Sequence, residues 1–161
     1  MKPSFESLSS NYYSSNEFKP NYKSGIDLYA EIGISQEKLM GSNPAYINTC
    51  AARMSLALLK SGVRFSGRMS IPSGALQGRK LETGAKLLAD QLSRADVFGR
   101  PEIFNKDKFR EGLTGRKGVV FFWKLDTMGG DHIDLVDATS GDLFCSSSCF
   151  QAREVWFWPL R

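Results

Sequence analysis

Asn48-Thr49-Cys50-Ala51-Ala52-Arg53-Met54-Ser55-Leu56-Ala57-Leu58-Leu59 places a lone cysteine where an apolar helix begins. Cys50, Met54, Ala57 and Leu58 recur at i, i+4, i+7 and i+8 and share one helix face. Leu56 and Leu59 make the other side apolar too, so the helix reads as central and largely buried. Asn48 or Thr49 can cap its start, and Gly62 lies just past its end. A thiol at a helix N-terminus meets unpaired backbone N–H groups and the positive end of the dipole. Both favour the reactive thiolate.

The chain's only histidine, His132, lies far downstream in the strand-like run Asp131-His132-Ile133-Asp134-Leu135-Val136-Asp137. A histidine presented from a strand can accept a thiol proton and return it to a leaving amine. Taken singly, Cys50 reads as a small buried hydrophobe and His132 as a satisfied structural residue. Their combination favours chemistry, because the cysteine opens its helix and the histidine follows an approach of Gly129-Gly130-Asp131. The imidazole then needs an orienting partner. Pairing Asp137 with Asp142 in a hairpin sets Ser147 opposite His132, while Asp134 shares its sheet face. A serine can accept the hydrogen bond, but only a carboxylate stabilises an imidazolium.

Around these residues the chain divides into helices first and strands last, an α+β arrangement. The first 24 residues are rich in Ser, Asn and Tyr and read as irregular beyond a short helix near Phe5–Tyr12. A further short helix is expected over Ile26–Ile32, and a turn at Gly41-Ser42-Asn43-Pro44. Residues 63–80 read as loop, a candidate flap beside the site. Leu81, Ala85, Leu88 and Leu92 mark a second amphipathic helix, and Lys106–Leu113 a third. Gly118–Trp123 has the length and β-branched character of a buried strand. His132–Asp137 and Leu143–Cys149 form a hairpin, and Glu154–Pro159 closes the chain with three aromatic residues.

A chain of 161 residues reads as one domain, 1–161, with 42% hydrophobic and 24% charged residues. No stretch is apolar enough to span a bilayer, so no membrane insertion is expected. The N-terminus lacks the apolar core of a signal peptide, which predicts synthesis in the cytoplasm and export by a route needing no cleavable signal. The net charge of +4 suits a polyanionic partner, but the basic residues are dispersed and no nucleic-acid-reading motif occurs. Cys145 and Cys149 can bridge across a bend or remain two reduced thiols. With one histidine available, a zinc site is disfavoured.

Asn-x-Cys-x-x-Arg-Met-Ser over Asn48–Ser55 resembles the nucleophile segment of the type VI secretion amidase effector 4 (Tae4) family. His132-Ile133-Asp134-Leu135-Val136 resembles its histidine strand. The Cys-x-x-x-Cys of Cys145–Cys149 and the closing Val155-Trp156-Phe157-Trp158-Pro159 match in order and rough spacing. The resemblance implies a papain-like (NlpC/P60-type) fold, with N-terminal helices packed on a C-terminal antiparallel sheet. It implies a toxin injected into rival bacteria, hydrolysing the γ-D-glutamyl–meso-diaminopimelate bond of peptidoglycan in the periplasm. Cys50 is then the nucleophile and His132 the base and acid, with no metal or organic cofactor. Ser147 stands where the family typically carries its third residue, an Asp. Also implied are a Cys145–Cys149 disulfide, delivery by the type VI secretion apparatus, and a cognate immunity protein that blocks the cleft.

Within that mechanism the backbone N–H of Cys50 is the expected oxyanion donor. Arg53 is read as a structural ion-pair residue rather than a substrate contact. The competing readings are a papain-like endopeptidase cutting the cross-link, a catalytically weak wall-binding relative, and a basic nucleic-acid binder.

Overall fold

The apolar segment that opens at Cys50 is the central helix of the computed structural model, which describes residues 2–125 and 130–161. Three short helices precede it: α1 (Phe5–Ser10), α2 (Gly25–Glu31) and α3 (Gln36–Ser42). Each starts at a serine, Ser4, Ser24 or Ser35, whose hydroxyl accepts the N–H three residues on. The turn expected over Gly41–Pro44 therefore begins later than the sequence suggests. α3 runs to Ser42, and a 3₁₀ turn over Pro44–Ile47 then uses Pro44 at its first position.

Helix α4 (Cys50–Lys60) is buried from Cys50 to Leu59. Both apolar faces are used. Cys50, Ala51, Met54, Ala57 and Leu58 pack toward the sheet, while Ala52, Leu56 and Leu59 meet Leu28, Tyr29, Ile71 and Leu81. Each such leucine is stabilising by roughly 1.5–3 kcal/mol relative to exposure. The helix ends at Ser61, and Gly62 follows at φ 82°.

Residues 63–80 contain more structure than a loop. β1 (Met69–Ser70) pairs antiparallel with β2 (Lys80–Leu81), so Leu81 belongs to a strand and helix α5 starts at Ala85 and ends at Leu92. Buried Glu82 anchors this unit: its carboxylate accepts the Arg68 guanidinium and the Gly84 N–H. Ser55 of α4 bonds the Glu82 backbone in both directions.

The main sheet contains β3 (Glu102–Asn105), β4 (Lys117–Leu125), β5 (His132–Asp137), β6 (Phe144–Cys145) and β7 (Ala152–Pro159), in the order β3-β7-β4-β5-β6, every pair antiparallel. Gly118 is required where β4 crosses β7, because a Cβ there would meet the Trp158 carbonyl. Val119, Phe121, Ile133, Leu135 and Trp158 face α1, α4 and α5. Val120, Phe122, Val136, Val155 and Phe157 face the other way, against Phe109 and Leu113 of α6 (Phe109–Leu113). N-terminal helices packed on a C-terminal antiparallel sheet form the expected α+β, papain-like fold.

The β5–β6 hairpin departs from the expected register. Asp137 pairs with Phe144 and Val136 with Cys145, a slip of two residues from the Asp137–Asp142 pairing. Asp137 Oδ1 accepts the Thr139 N–H, which starts a wider turn through Gly141 at φ 95°. A two-residue slip preserves the face of each side chain. It moves the 146–148 segment opposite Asp134 instead of His132.

Candidate active site

Cys50 is the first residue of α4 and His132 the first of β5, and both line one cleft of about 360 Å³. Thr49 is the helix N-cap, but its hydroxyl caps no N–H; it accepts instead from Arg53 Nε at 2.8 Å. Asn48 does the capping, its Oδ1 accepting the Cys50 N–H at 3.2 Å. The N–H expected to serve an oxyanion is therefore already engaged. Cys50 is a free thiol, with Sγ 4.0 Å from the Asp131 carbonyl.

The His132 ring is fixed on several sides. Phe122 stacks on it at 6.1 Å between centroids, and Phe150 meets it edge-on at 4.9 Å. Its Nε2 lies 3.2 Å from Asp134 Oδ2. Asp134 is fully buried and fully partnered: Oδ2 also accepts the N–H of Ser147 at 2.8 Å and of Ser148 at 3.3 Å, and Oδ1 accepts the Leu135 N–H at 2.8 Å. A buried carboxylate persists as an anion only with such compensation. Burial works against the imidazolium, but the hydrogen bond to Asp134 and the adjacent Cys50 outweigh it and lift His132 to about 9. Behind the carboxylate, burial and then the Asp134 charge hold the Tyr12 phenol well above its ordinary range.

The structure thus brings Cys50, His132, Asp134 and Ser147 to one place in unequal roles. Ser147 lines the cleft, but its backbone N–H binds Asp134 and its hydroxyl accepts the Ser15 N–H at 3.3 Å. The side chain bonded to the imidazole is Asp134. Cys145 and Cys149 are joined by a disulfide that closes the turn carrying Ser147 and Ser148. Asp131 lines the cleft beside His132, and Gly130 precedes it at φ 129°; Gly129 lies outside the described residues. None of residues 63–80 lines the cleft, so the flap reading is not met. Its other walls include Ser15, Ile47, Leu125 and Phe150, which sequence reasoning missed. Only Phe150, directly after the second cysteine, had a positional signal.

The family model for type VI secretion system amidase effector protein 4, Tae4, matches residues 46–158. The chain belongs to the Tae4 family. Its fold is similar to that of Tae4 from Salmonella typhimurium, solved in complex with the immunity protein Tai4 from Enterobacter cloacae: TM-score 0.71, 21% identity, covering 99% of this chain and 100% of that one. It is similar also to Tae4 in the Salmonella typhimurium Tae4–Tai4 complex, at TM-score 0.68 and 20% identity over all of both chains. Tae4 from Enterobacter cloacae gives TM-score 0.58 and 17% identity, covering 100% of this chain and 98% of that one. No curated protein matches by sequence. Tae4 membership makes the chain a type VI secretion effector of the cysteine amidase class. Among the described residues no helix is long and apolar enough to cross a membrane.

Proposed function

We propose that the chain, acting as one domain over residues 1–161, hydrolyses the γ-D-glutamyl–meso-diaminopimelate bond of peptidoglycan stem peptides in the periplasm of a target bacterium. Cys50 is the nucleophile, His132 the general base and acid, and Asp134 the residue that orients the imidazole. The observation that carries the reading is the free thiol at the α4 N-terminus in one cleft with a buried His132–Asp134 pair.

With Nε2 directed at Asp134, Nδ1 is the nitrogen left for the thiol. The raised basicity of His132 suits it to take the Cys50 proton as Sγ attacks. Cys50 Sγ attacks the scissile carbonyl carbon, forming a C–S bond and a tetrahedral oxyanion. The Cys50 N–H serves that oxyanion once the substrate oxygen displaces Asn48 Oδ1. Collapse breaks the C–N bond as the imidazolium protonates the departing amine, leaving a thioester. Water, deprotonated by the neutral imidazole, attacks the thioester carbonyl. The acid is released and the thiol regains its proton.

Asp134 answers the absence of Asp at position 147, because a carboxylate two residues along β5 from His132 supplies the charge a serine cannot. That observation favours an active enzyme over a wall-binding relative. A cognate immunity protein that occludes the cleft and delivery by the type VI apparatus complete the proposal.

Mass spectrometry of purified muropeptides, incubated with wild type and with Cys50→Ala, tests it. Cleavage between D-Glu and diaminopimelate that disappears in the variant supports the assignment. Cleavage at the cross-link would move the substrate to the endopeptidase alternative, and intact muropeptides with folded wild type would overturn the amidase.

A further inference from the structure

Arg53 lies one turn beyond Cys50 and is buried, with 3% of its surface exposed. A buried guanidinium is unfavourable unless its N–H donors and its charge are met. The structural ion pair expected for it is not formed among the described residues. Its acceptors are instead the Thr49 hydroxyl at 2.8 Å and three backbone carbonyls: Tyr13 at 3.4 Å, Ser14 at 3.1 Å and Lys23 at 2.6 Å.

Those carbonyls come from the two ends of one loop. Ser14 opens it and Lys23 closes it, and the neck is held by Ser14 N–H to Asn21 O at 3.0 Å and Lys23 N–H to Ser14 O at 3.1 Å. The guanidinium fixes both sides of that neck to the nucleophile's helix. The same loop reaches across the cleft's rim. Ser14 Oγ donates to the Ser146 carbonyl at 2.7 Å, and Ser15 N–H donates to Ser147 Oγ at 3.3 Å. From there the Ser147 and Ser148 N–H groups run to Asp134, and Asp134 to His132. At its other end Arg53 grips Thr49, the residue before Cys50.

We propose that Arg53 is a positioning residue of the active site: it clamps the neck of loop 14–23 to the nucleophile's helix and, through that loop, holds the 146–148 turn against Asp134. The inference rests on the amidase reading for the catalytic meaning of Asp134. A lysine cannot replace it in full: Nη1 meets the carbonyls on both sides of the neck while Nε meets Thr49, and a single ammonium lacks that second donor nitrogen.

The test compares wild type with Arg53→Met, Arg53→Lys and Ser14→Ala. The readouts are amide exchange at Ser147 and Ser148, alkylation of Cys50 by iodoacetamide against pH, and kcat and KM on muropeptides. With the clamp gone, exchange at Ser147 and Ser148 rises about tenfold or more, as for loss of one or two hydrogen bonds. The pH limb of alkylation set by His132 moves to lower pH, because a looser Asp134 supports the imidazolium less. kcat falls about tenfold or more in Arg53→Met with KM little changed, and Arg53→Lys, which leaves Thr49 without its donor, restores it only in part. Ser14→Ala, which keeps Arg53 and cuts the link to Ser146, moves exchange and the alkylation limb in the same direction by less; it carries the test should Arg53→Met not fold. Faster exchange confined to residues 13–23, with the Ser147 and Ser148 amides and the alkylation profile unchanged, would overturn the proposal. Wild type that leaves muropeptides intact would overturn the amidase reading alone, and exchange and alkylation would still decide the clamp.

Discussion

Cys50 and His132 reach the same cleft by different means. Cys50 is set by contiguous sequence: Asn48 caps its N–H, α4 begins at it, and the apolar periodicity of the next two turns buries that helix. His132 depends on distant segments. Phe122 comes from β4, Phe150 follows the disulfide, Asp134 is held by Ser147 and Ser148, and that turn is held by Ser14 and Ser15. A local element tolerates single losses beyond the nucleophile itself. A chain of long-range contacts transmits them to the imidazole, so the base side is where substitutions should be felt in rate and in pH dependence.

The largest effect belongs to Cys50, the proposed nucleophile. Cys50→Ala should abolish turnover, a loss on the order of 10⁶-fold in kcat for a residue of this kind, with a thermal unfolding profile near that of wild type. Next comes the base side. His132→Gln should be comparably inactive, yet it should also flatten the pH dependence of stability. The His132 pKa is raised from 6.5 to about 9 in the folded protein. Its contribution is therefore fully present below about pH 6.5 and is lost as pH rises through 9, a change of order 3 kcal/mol. Denaturant unfolding at pH 6 and pH 9.5 checks the sign, and a wild type more stable at the higher pH would refute it.

Opening the disulfide is a smaller perturbation. Cys145→Ser with Cys149→Ser should cost about 2 kcal/mol for so short a loop, seen as a lower unfolding midpoint, and should slow turnover by loosening the Ser147 and Ser148 donors. The smallest effect belongs to the Ser147 hydroxyl. It accepts a single 3.3 Å bond from Ser15, so Ser147→Ala should change stability by about 1 kcal/mol or less and leave the rate within a few fold.

The same division governs what was legible in the sequence. The α4 helix, the place of Cys50 at its start and the helices-then-sheet order followed from periodicity and caps. So did β4 and β7, whose β-branched and aromatic runs admit little else. The third site residue stayed open between Asp134 and Ser147 because the hairpin register turned on a loop length. Asp137 prefers to cap Thr139 over pairing with Asp142, a choice that spacing does not reveal. Helix α3 was missed because only Leu39 and Met40 are apolar in it, and Ser35 is its main signal. In sequence Arg53 looks like an ion-pair residue because its acceptors are backbone carbonyls, which leave no side-chain trace at positions 13, 14 and 23.

The most direct test of the central claim, that Asp134 completes the site at Cys50 and His132, is a pH–rate profile of muropeptide cleavage for Asp134→Asn beside Ser147→Ala. The account predicts a fall of roughly 10²–10⁴-fold for Asp134→Asn, as when the orienting carboxylate of a triad becomes an amide, with near-normal rates for Ser147→Ala. Near-normal turnover by folded Asp134→Asn, with Ser147→Ala inactive, would contradict it and return the third place to the serine.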